Sequence, residues 1–516
     1  MTVMSSKLII TDALWQIIGR IISALWWFLV IKMITPYLWP LRFGDYNTIL
    51  KYFAIWSALA DFGLYVVALR EIGTLKGSLS TTWTSAESDQ SISLYYSKFV
   101  TSRLFNIVVV YGIALIIAYM IPSYTNNPYL LRWLPIGMLF SASFMLAWIV
   151  QLPHQLAWKM QDISIALTIA RIAQIGVVWL IVTRWPTPTF GQVNSSLLPF
   201  LLIMCSVLVS GLFQLVYVWY TGRRHIDLQW IWDWSFTRNH IKSNRRYGIA
   251  YYLSSFHILI VGLLLSIFFP TIQGFTYVGI WWLSMSLIEI LLIIPSSLWN
   301  SIIHKIAHYP IAEQLTTFGH LMLLNIWLWG VFFVNFLTFG RQIISLIAGD
   351  GYLNTTLCGD KIHCFMGSDV ILPFLWWVIM LSFIKQIFNY LFVSTHHQNT
   401  LLNINGIGVV VWMSVGYGLI YHYQVRGGVI TQTLLEVLFV WGALYTARSK
   451  KILPHIHLSR RITVMSIIVL WGMIGYHITL PLHHISLLIV TGLVYNGCLV
   501  AVSYRILRHT LDDMGR

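Results

Sequence analysis

Apolar stretches of about twenty residues, some fourteen in number, follow one another along nearly the whole chain and are separated by short polar turns. A bilayer core about 30 Å thick is crossed by about 20 residues of helix. Runs such as 94–120, 197–220 and 462–480 meet that length. The expected fold class is therefore all-α: a polytopic integral membrane protein of about 14 transmembrane helices. The spans are read at 8–35, 46–69, 98–121, 131–152, 160–183, 196–220, 247–269, 273–298, 315–338, 370–393, 401–423, 428–447, 462–480 and 484–505. With 58% hydrophobic and 9% charged residues over 516 positions, a water-soluble domain is excluded.

Basic residues gather in every second gap. With the N-terminus inside, about twenty Lys and Arg fall on the cytoplasmic side, against Arg42, Arg132, Arg184, Arg341, Lys361 and Arg426 on the other. The positive-inside rule expects this asymmetry. Both termini are thus expected in the cytoplasm and the chain in the cell (inner) membrane. The net charge of +15 reads as topology, with no nucleic-acid partner implied. Residues 1–11 run into the first apolar stretch without a small-residue cleavage site, so that helix is expected to stay.

The most polar interior stretch, 221–246, divides the first twelve helices into six and six. The organisation read from this is an N-terminal six-helix lobe over 1–220, a basic cytoplasmic linker over 221–246, a C-terminal six-helix lobe over 247–447, and two additional C-terminal helices in 448–516. Transporters built from such repeats carry their site between the halves, near the bilayer midplane.

Six basic residues stand within the spans, Arg20, Lys32, Lys51, Arg103, Arg171 and Lys385, opposed by Asp61, Glu289 and Glu436. A charge near a helix centre costs about 2.5–3.5 kcal/mol on insertion scales, so such groups face a bundle interior or a wet cavity and find partners. Lys32 and Lys51 lie near the outer boundary and are expected to snorkel. By depth, Arg20, Asp61 and Arg103 share one level, and Arg171, Glu289 and Lys385 lie near mid-bilayer. Two readings stay open. In one, Arg20, Arg103, Arg171 and Lys385 form a cationic inter-lobe cavity for an anionic head group, with Asp61, Glu289 and Glu436 orienting them or accepting coupling protons. In the other, these are buried ion pairs that lock helices together.

Other signals are weaker. His304 and His308 share a helix face at i, i+4, but no third ligand follows, so a zinc site is not expected. His396–His397 and His483–His484 read as interfacial polarity. Cys358 and Cys364 share the polar loop 340–369, where two free thiols are the preferred reading over an external disulfide. No phosphate-binding loop, nucleophile elbow or ATP-binding motif is present, so direct ATP hydrolysis and a cofactor are not expected, and energy is to come from an ion gradient (H+ or Na+), the substrate's own gradient or a partner. Aromatics at span ends, such as Trp26, Trp27, Tyr37 and Trp39, read as interfacial belts.

The most specific segment is 13–73. It carries Gly19-Arg20-x-x-Ser23, then Tyr37-Leu38-x-Pro40 and Phe43-Gly44-Asp45-Tyr46, then Asp61-Phe62-Gly63-Leu64 before Arg70-Glu71-Ile72. This pattern resembles the polysaccharide-biosynthesis (O-antigen-type) lipid-linked oligosaccharide flippases of the multidrug/oligosaccharidyl-lipid/polysaccharide exporter superfamily. The resemblance implies two six-helix lobes with two extra helices, alternating access, and translocation of undecaprenyl-pyrophosphate-linked oligosaccharide for surface polysaccharide biosynthesis. It also implies membrane lipids and polysaccharide polymerase or assembly proteins as partners, and a transporter rather than an enzyme. One departure stands out: family members commonly have glycine between Leu38 and Pro40, where this chain has Trp39, in a turn that calls for a permissive backbone. The competing functions are a cation-coupled drug exporter of the same superfamily, which would need a more acidic cavity, and a membrane polymerase or glycosyltransferase. The latter would have to use Arg341, Asp350, Asp360 and Asp369 of a loop of about thirty residues.

Overall fold

The computed structural model describes residues 6–62, 85–157, 159–185, 197–224, 228–269, 272–306, 339–354, 367–394 and 397–452, with isolated positions between these ranges. The long elements, in chain order, are α1 (Ser6–Asp61), α2 (Ser85–Met120), α3 (Pro128–Ile149), α4 (Met160–Arg184), α5 (Leu197–Gly222), α6 (Trp234–Phe268) and α7 (Ile272–Ile306). They continue with α8 (Ser368–Ser394), α9 (Gln398–Val411) and α10 (Tyr417–Ser449). No strand occurs among the described residues, and seven of their helical stretches are long and apolar enough to cross a membrane. The chain is an all-α, multi-pass membrane protein. The expected spans 462–480 and 484–505 lie outside the described residues.

The first two expected spans are joined in α1 across a kink at Trp39 (φ 57°, ψ 165°). Pro36 and Pro40 each remove a backbone donor, and Pro40 pushes the residue before it out of the helical region toward extended ψ. A side-chain clamp holds the turn that follows. Arg42 Nη1 donates to Asp45 Oδ2 at 2.8 Å, Asn127 Nδ2 donates to Asp45 Oδ1 at 2.7 Å, and the Arg42 guanidinium lies 3.4 Å over the Tyr129 ring. Asn127 also caps α3 by accepting from the Tyr129 N–H at 3.0 Å. The fully buried Asp45 thus ties the re-entering half of α1 to the start of α3.

Two compact units divide the chain: 1–282 with 289–297, and 283–288 with 298–516. In the first, helices approach through small residues, as membrane helices do when lipid offers no hydrophobic drive to pack. A Cβ on Gly19 would overlap Ser164 of α4. One on Gly44 would overlap the Phe275 carbonyl of α7, and one on Gly279 the Pro40 carbonyl. The Gly19 and Gly44 positions of the quoted motifs are therefore contact points, with α4 and α7 respectively. In the second unit α8, α9 and α10 pack on one another with Phe383, Phe388 and Phe439 buried, and a Cβ on Gly408 of α9 would overlap the Phe439 ring. A short π-helical turn, Trp412–Gly416, joins α9 to α10, and α10 is itself broken at Gln424 (φ 56°, ψ −131°).

Candidate functional site

Most charges in the membrane-spanning helices are neutralised by partners remote in sequence. The Arg103 guanidinium, 1% exposed, pairs with the Asp61 carboxylate and also donates to the carbonyls of Ala60 and Asp61, both at 2.7 Å. It sits at the C-terminal end of α1, where orphan carbonyls and the helix dipole favour a cation. Lys385 Nζ of α8 meets Glu436 Oε1 of α10 at 3.1 Å, with side-chain exposures of 8% and 0%, and lies 4.5 Å from the Phe439 ring centre. Lys51, expected to snorkel, instead reaches both oxygens of Glu289 at 3.1 Å and stands 4.3 Å over the Trp282 ring. The reason is packing: α7 crosses α1 closely at Gly44 and Gly279, which brings Glu289 within reach of Lys51.

Arg171 differs. It lies on α4, partly buried, and takes part in no ion pair among the described residues. Its Nη1 donates to the Gln174 side-chain carbonyl at 2.7 Å, and its guanidinium carbon is 4.7 Å from the centre of the Trp27 ring on α1. The Tyr46 hydroxyl of α1 is within electrostatic range of the same guanidinium. Tyr46 and Gln174 are 2% and 0% exposed, and the Tyr46 hydroxyl and the Gln174 amide nitrogen have no hydrogen-bond partner among the described residues. A positive fork with two buried, unspent neutral donors beside it is equipped to receive an anion.

Of the expected head-group residues, the structure thus places Arg103 and Lys385 in buried pairs with Asp61 and Glu436, and Arg171 beside Gln174, Trp27 and Tyr46. Arg20 lies in α1, with its side chain outside the described residues. Tyr46, Gln174 and Trp27 were not singled out for the site from the sequence. Gln174 carried a usable signal, since a residue three positions after Arg171 shares its helix face, and Tyr46 stands in the quoted motif at 43–46. Trp27, read as part of an interfacial belt, is the stacking surface for Arg171.

Outside the membrane-spanning segments, Asp233 precedes α6 and caps it, accepting from the Phe236 N–H at 3.0 Å and from Ser235 Oγ at 2.7 Å. Lys98 Nζ meets its other oxygen at 2.8 Å. The Lys98 bond, then the cap bonds, hold the Asp233 carboxyl far below the usual carboxylate range. Burial holds His240 below the ordinary histidine value, opposed by the Glu71 carboxylate 3.5 Å away.

The expected loop 340–369 is helical through Ala348; beyond it Asp350 accepts from Ser345 Oγ at 2.6 Å, and Asp369 Oδ1 accepts from the Asn354 N–H at 2.8 Å. Asn354 Oδ1 in turn accepts from the Gly367 N–H at 3.0 Å. Asp369 and Asn354 thus tie the two ends of the stretch 354–369 together. Asp360, Lys361, Cys358, Cys364, His308, His483 and His484 lie outside the described residues, as does the side chain of His304.

Neither a family model nor a curated protein matches the sequence. Solved structures do match the fold. "Lipid II flippase MurJ, inward closed conformation" aligns with a TM-score of 0.66 over 96% of this chain and 99% of that one, at 11% identity. An inward-facing multidrug resistance MATE family transporter of the MOP superfamily aligns at 0.52 over 85% and 99%, with 15% identity. A mutant of the Vibrio cholerae MATE transporter VcmN aligns at 0.53 over 86% and 98%, with 9% identity. The chain has the fold of these membrane transporters, over nearly their whole length.

Proposed function

We propose that the protein translocates a polyprenyl-pyrophosphate-linked oligosaccharide across the membrane, with Arg171 as the group that receives the phosphates. The observation that carries this reading is a guanidinium in a membrane-spanning helix, without a carboxylate among the described residues, beside the unspent donors of Tyr46 and Gln174. A pyrophosphate and sugar head group stripped of water in hydrocarbon loses several kcal/mol per unpaired polar group. A planar arginine fork replaces part of that hydration by bidentate bonds to phosphate oxygens, which a lysine cannot reproduce. Trp27 lies against the guanidinium, its ring centre 4.7 Å from the guanidinium carbon, and Gln174 takes one of its N–H groups. The tail stays in lipid while the head group is exposed alternately to either side. The likeness to a lipid II flippase agrees with a lipid-linked cargo.

A second reading, cation-coupled drug export, is supported by the likeness to a multidrug resistance MATE family transporter. It is opposed by the engagement of Asp61, Glu289 and Glu436 with basic partners, which leaves less negative charge for a cationic cargo.

The test is head-group exposure in proteoliposomes, with a fluorescent polyprenyl-pyrophosphate oligosaccharide scored by an external glycosidase and a cationic dye as control cargo. Wild type should accelerate exposure over protein-free vesicles, Arg171→Ala should abolish the acceleration, and Arg171→Lys should retain only part of it. Movement of the dye without the lipid-linked sugar would replace this reading by the exporter.

A further inference from the structure

Beyond the transport site, we propose that the hollow at the end of α5 binds the phosphate head group of an anionic glycerophospholipid, and that a tryptophan ladder in the following segment seats this face in the membrane interface. The inference does not depend on the cargo.

The apolar helix α5 ends at Gly222, and its last turn exposes Trp219 and Tyr220. The next two residues are arginines folded back onto those rings: Arg223 stands 4.5 Å over Trp219, and Arg224 stands 5.4 Å from the centre of Tyr220. Together with Tyr220 and Leu228 they line a hollow of about 460 Å³. Neither arginine has an acidic partner among the described residues. One turn and more back along α5, Val216, Phe213 and Leu212 are exposed, an apolar track on which acyl chains can lie once the phosphate sits between the guanidinium groups.

Residues 228–233 then form an irregular run that ends in extended backbone at Asp233, the residue before α6, and exposure alternates along it. Trp230, Trp232 and Trp234 are 68%, 49% and 56% exposed, whereas Ile231 and Asp233 between them are half-buried. The segment is pinned to α2 by two bonds, Gln229 N–H to Ser97 Oγ at 2.9 Å and Lys98 to Asp233 at 2.8 Å. Trp232 stands edge-on to Phe105 at 4.9 Å, on an α2 surface where Val108 is also exposed. Lys98 and Phe105 are about 10 Å apart along that helix, so the ladder spans the step from charged to apolar surface. Tryptophan concentrates at that level of a bilayer, and arginine beside it attracts anionic lipid. In water, three aligned exposed tryptophans would be an aggregation site.

The test is native mass spectrometry of the full chain in detergent, titrated with dioleoyl phosphatidylglycerol or dioleoyl phosphatidylcholine. The first phosphatidylglycerol should bind more tightly than phosphatidylcholine. Arg223→Gln with Arg224→Gln should weaken it about twenty-five-fold and Arg224→Gln alone about fivefold, while phosphatidylcholine binding stays unchanged. The single variant removes one exposed cation and keeps the test valid if the double variant does not fold. Equal binding of the two lipids, or phosphatidylglycerol binding untouched by either variant, would overturn the proposal. Displacement of the lipid by millimolar inorganic phosphate would also overturn it, by assigning the hollow to a soluble anion.

Discussion

Replacing Trp39 should reverse the ordinary ranking of alanine and glycine. Its backbone, φ 57° and ψ 165°, lies at the edge of the region that only glycine occupies freely. A residue with a Cβ held there costs on the order of 1–3 kcal/mol. Trp39→Gly and Trp39→Ala both delete the same indole, so whatever packing it supplied cancels between them. What differs is the Cβ. In a regular element glycine is the worse residue by about 0.5–1 kcal/mol. Here the strain term opposes that and is larger, so Trp39→Gly should be the more stable of the two by about 1–2 kcal/mol. Thermal unfolding of the purified protein in detergent reads this as a gap of a few degrees, taking about 2–4 °C per kcal/mol for a cooperative unit of 150–250 residues. Alanine equal to or better than glycine would show that the kink relaxes without left-handed backbone, and the argument from Pro36 and Pro40 would fall with it. Gln424, at φ 56° and ψ −131°, offers an independent repeat with the same expected sign.

Four further outcomes are expected. Glu436→Gln leaves the Lys385 charge buried without its partner and should cost about 3–5 kcal/mol, whereas Lys385→Met with Glu436→Leu should recover most of it; if the double variant also retains head-group exposure, the pair is a helix lock. Gly44→Ala should destabilise by about 1–3 kcal/mol, because its new methyl meets a backbone carbonyl of α7 that cannot swing aside. Gly112→Ala, into open space on α2, should be neutral or mildly stabilising in the same thermal assay. The depressed Asp233 carboxyl contributes stability that is complete above the ordinary carboxylate value, near pH 4, and is lost as pH falls through its lower folded value. The advantage of wild type over Asp233→Asn should therefore be constant at neutral pH and shrink toward pH 2–3 in an acid titration of Tm.

What the sequence by itself determined is local. The lengths and apolarity of stretches such as 94–120 and 197–220 are enough to place helices in a membrane, because each backbone group must be bonded within its own segment there. The turn at Trp39 was legible from two prolines and from a resemblance that expects glycine at that position. The existence of buried charges was legible too. Their pairing was not. Lys51 and Glu289 are 238 residues apart, and only the close crossing of α1 and α7 brings them to 3.1 Å. Arg103, Lys385 and Arg171 look alike as isolated basic residues in apolar runs, yet the first two are neutralised and the third is surrounded by unspent donors. The physical reason is that a helix apolar on nearly every face has no sequence-encoded rotation. Which side of α4 meets Trp27 and Tyr46 was set by where small residues let two backbones approach, as Gly19 does against Ser164. That was decided by the tertiary structure alone.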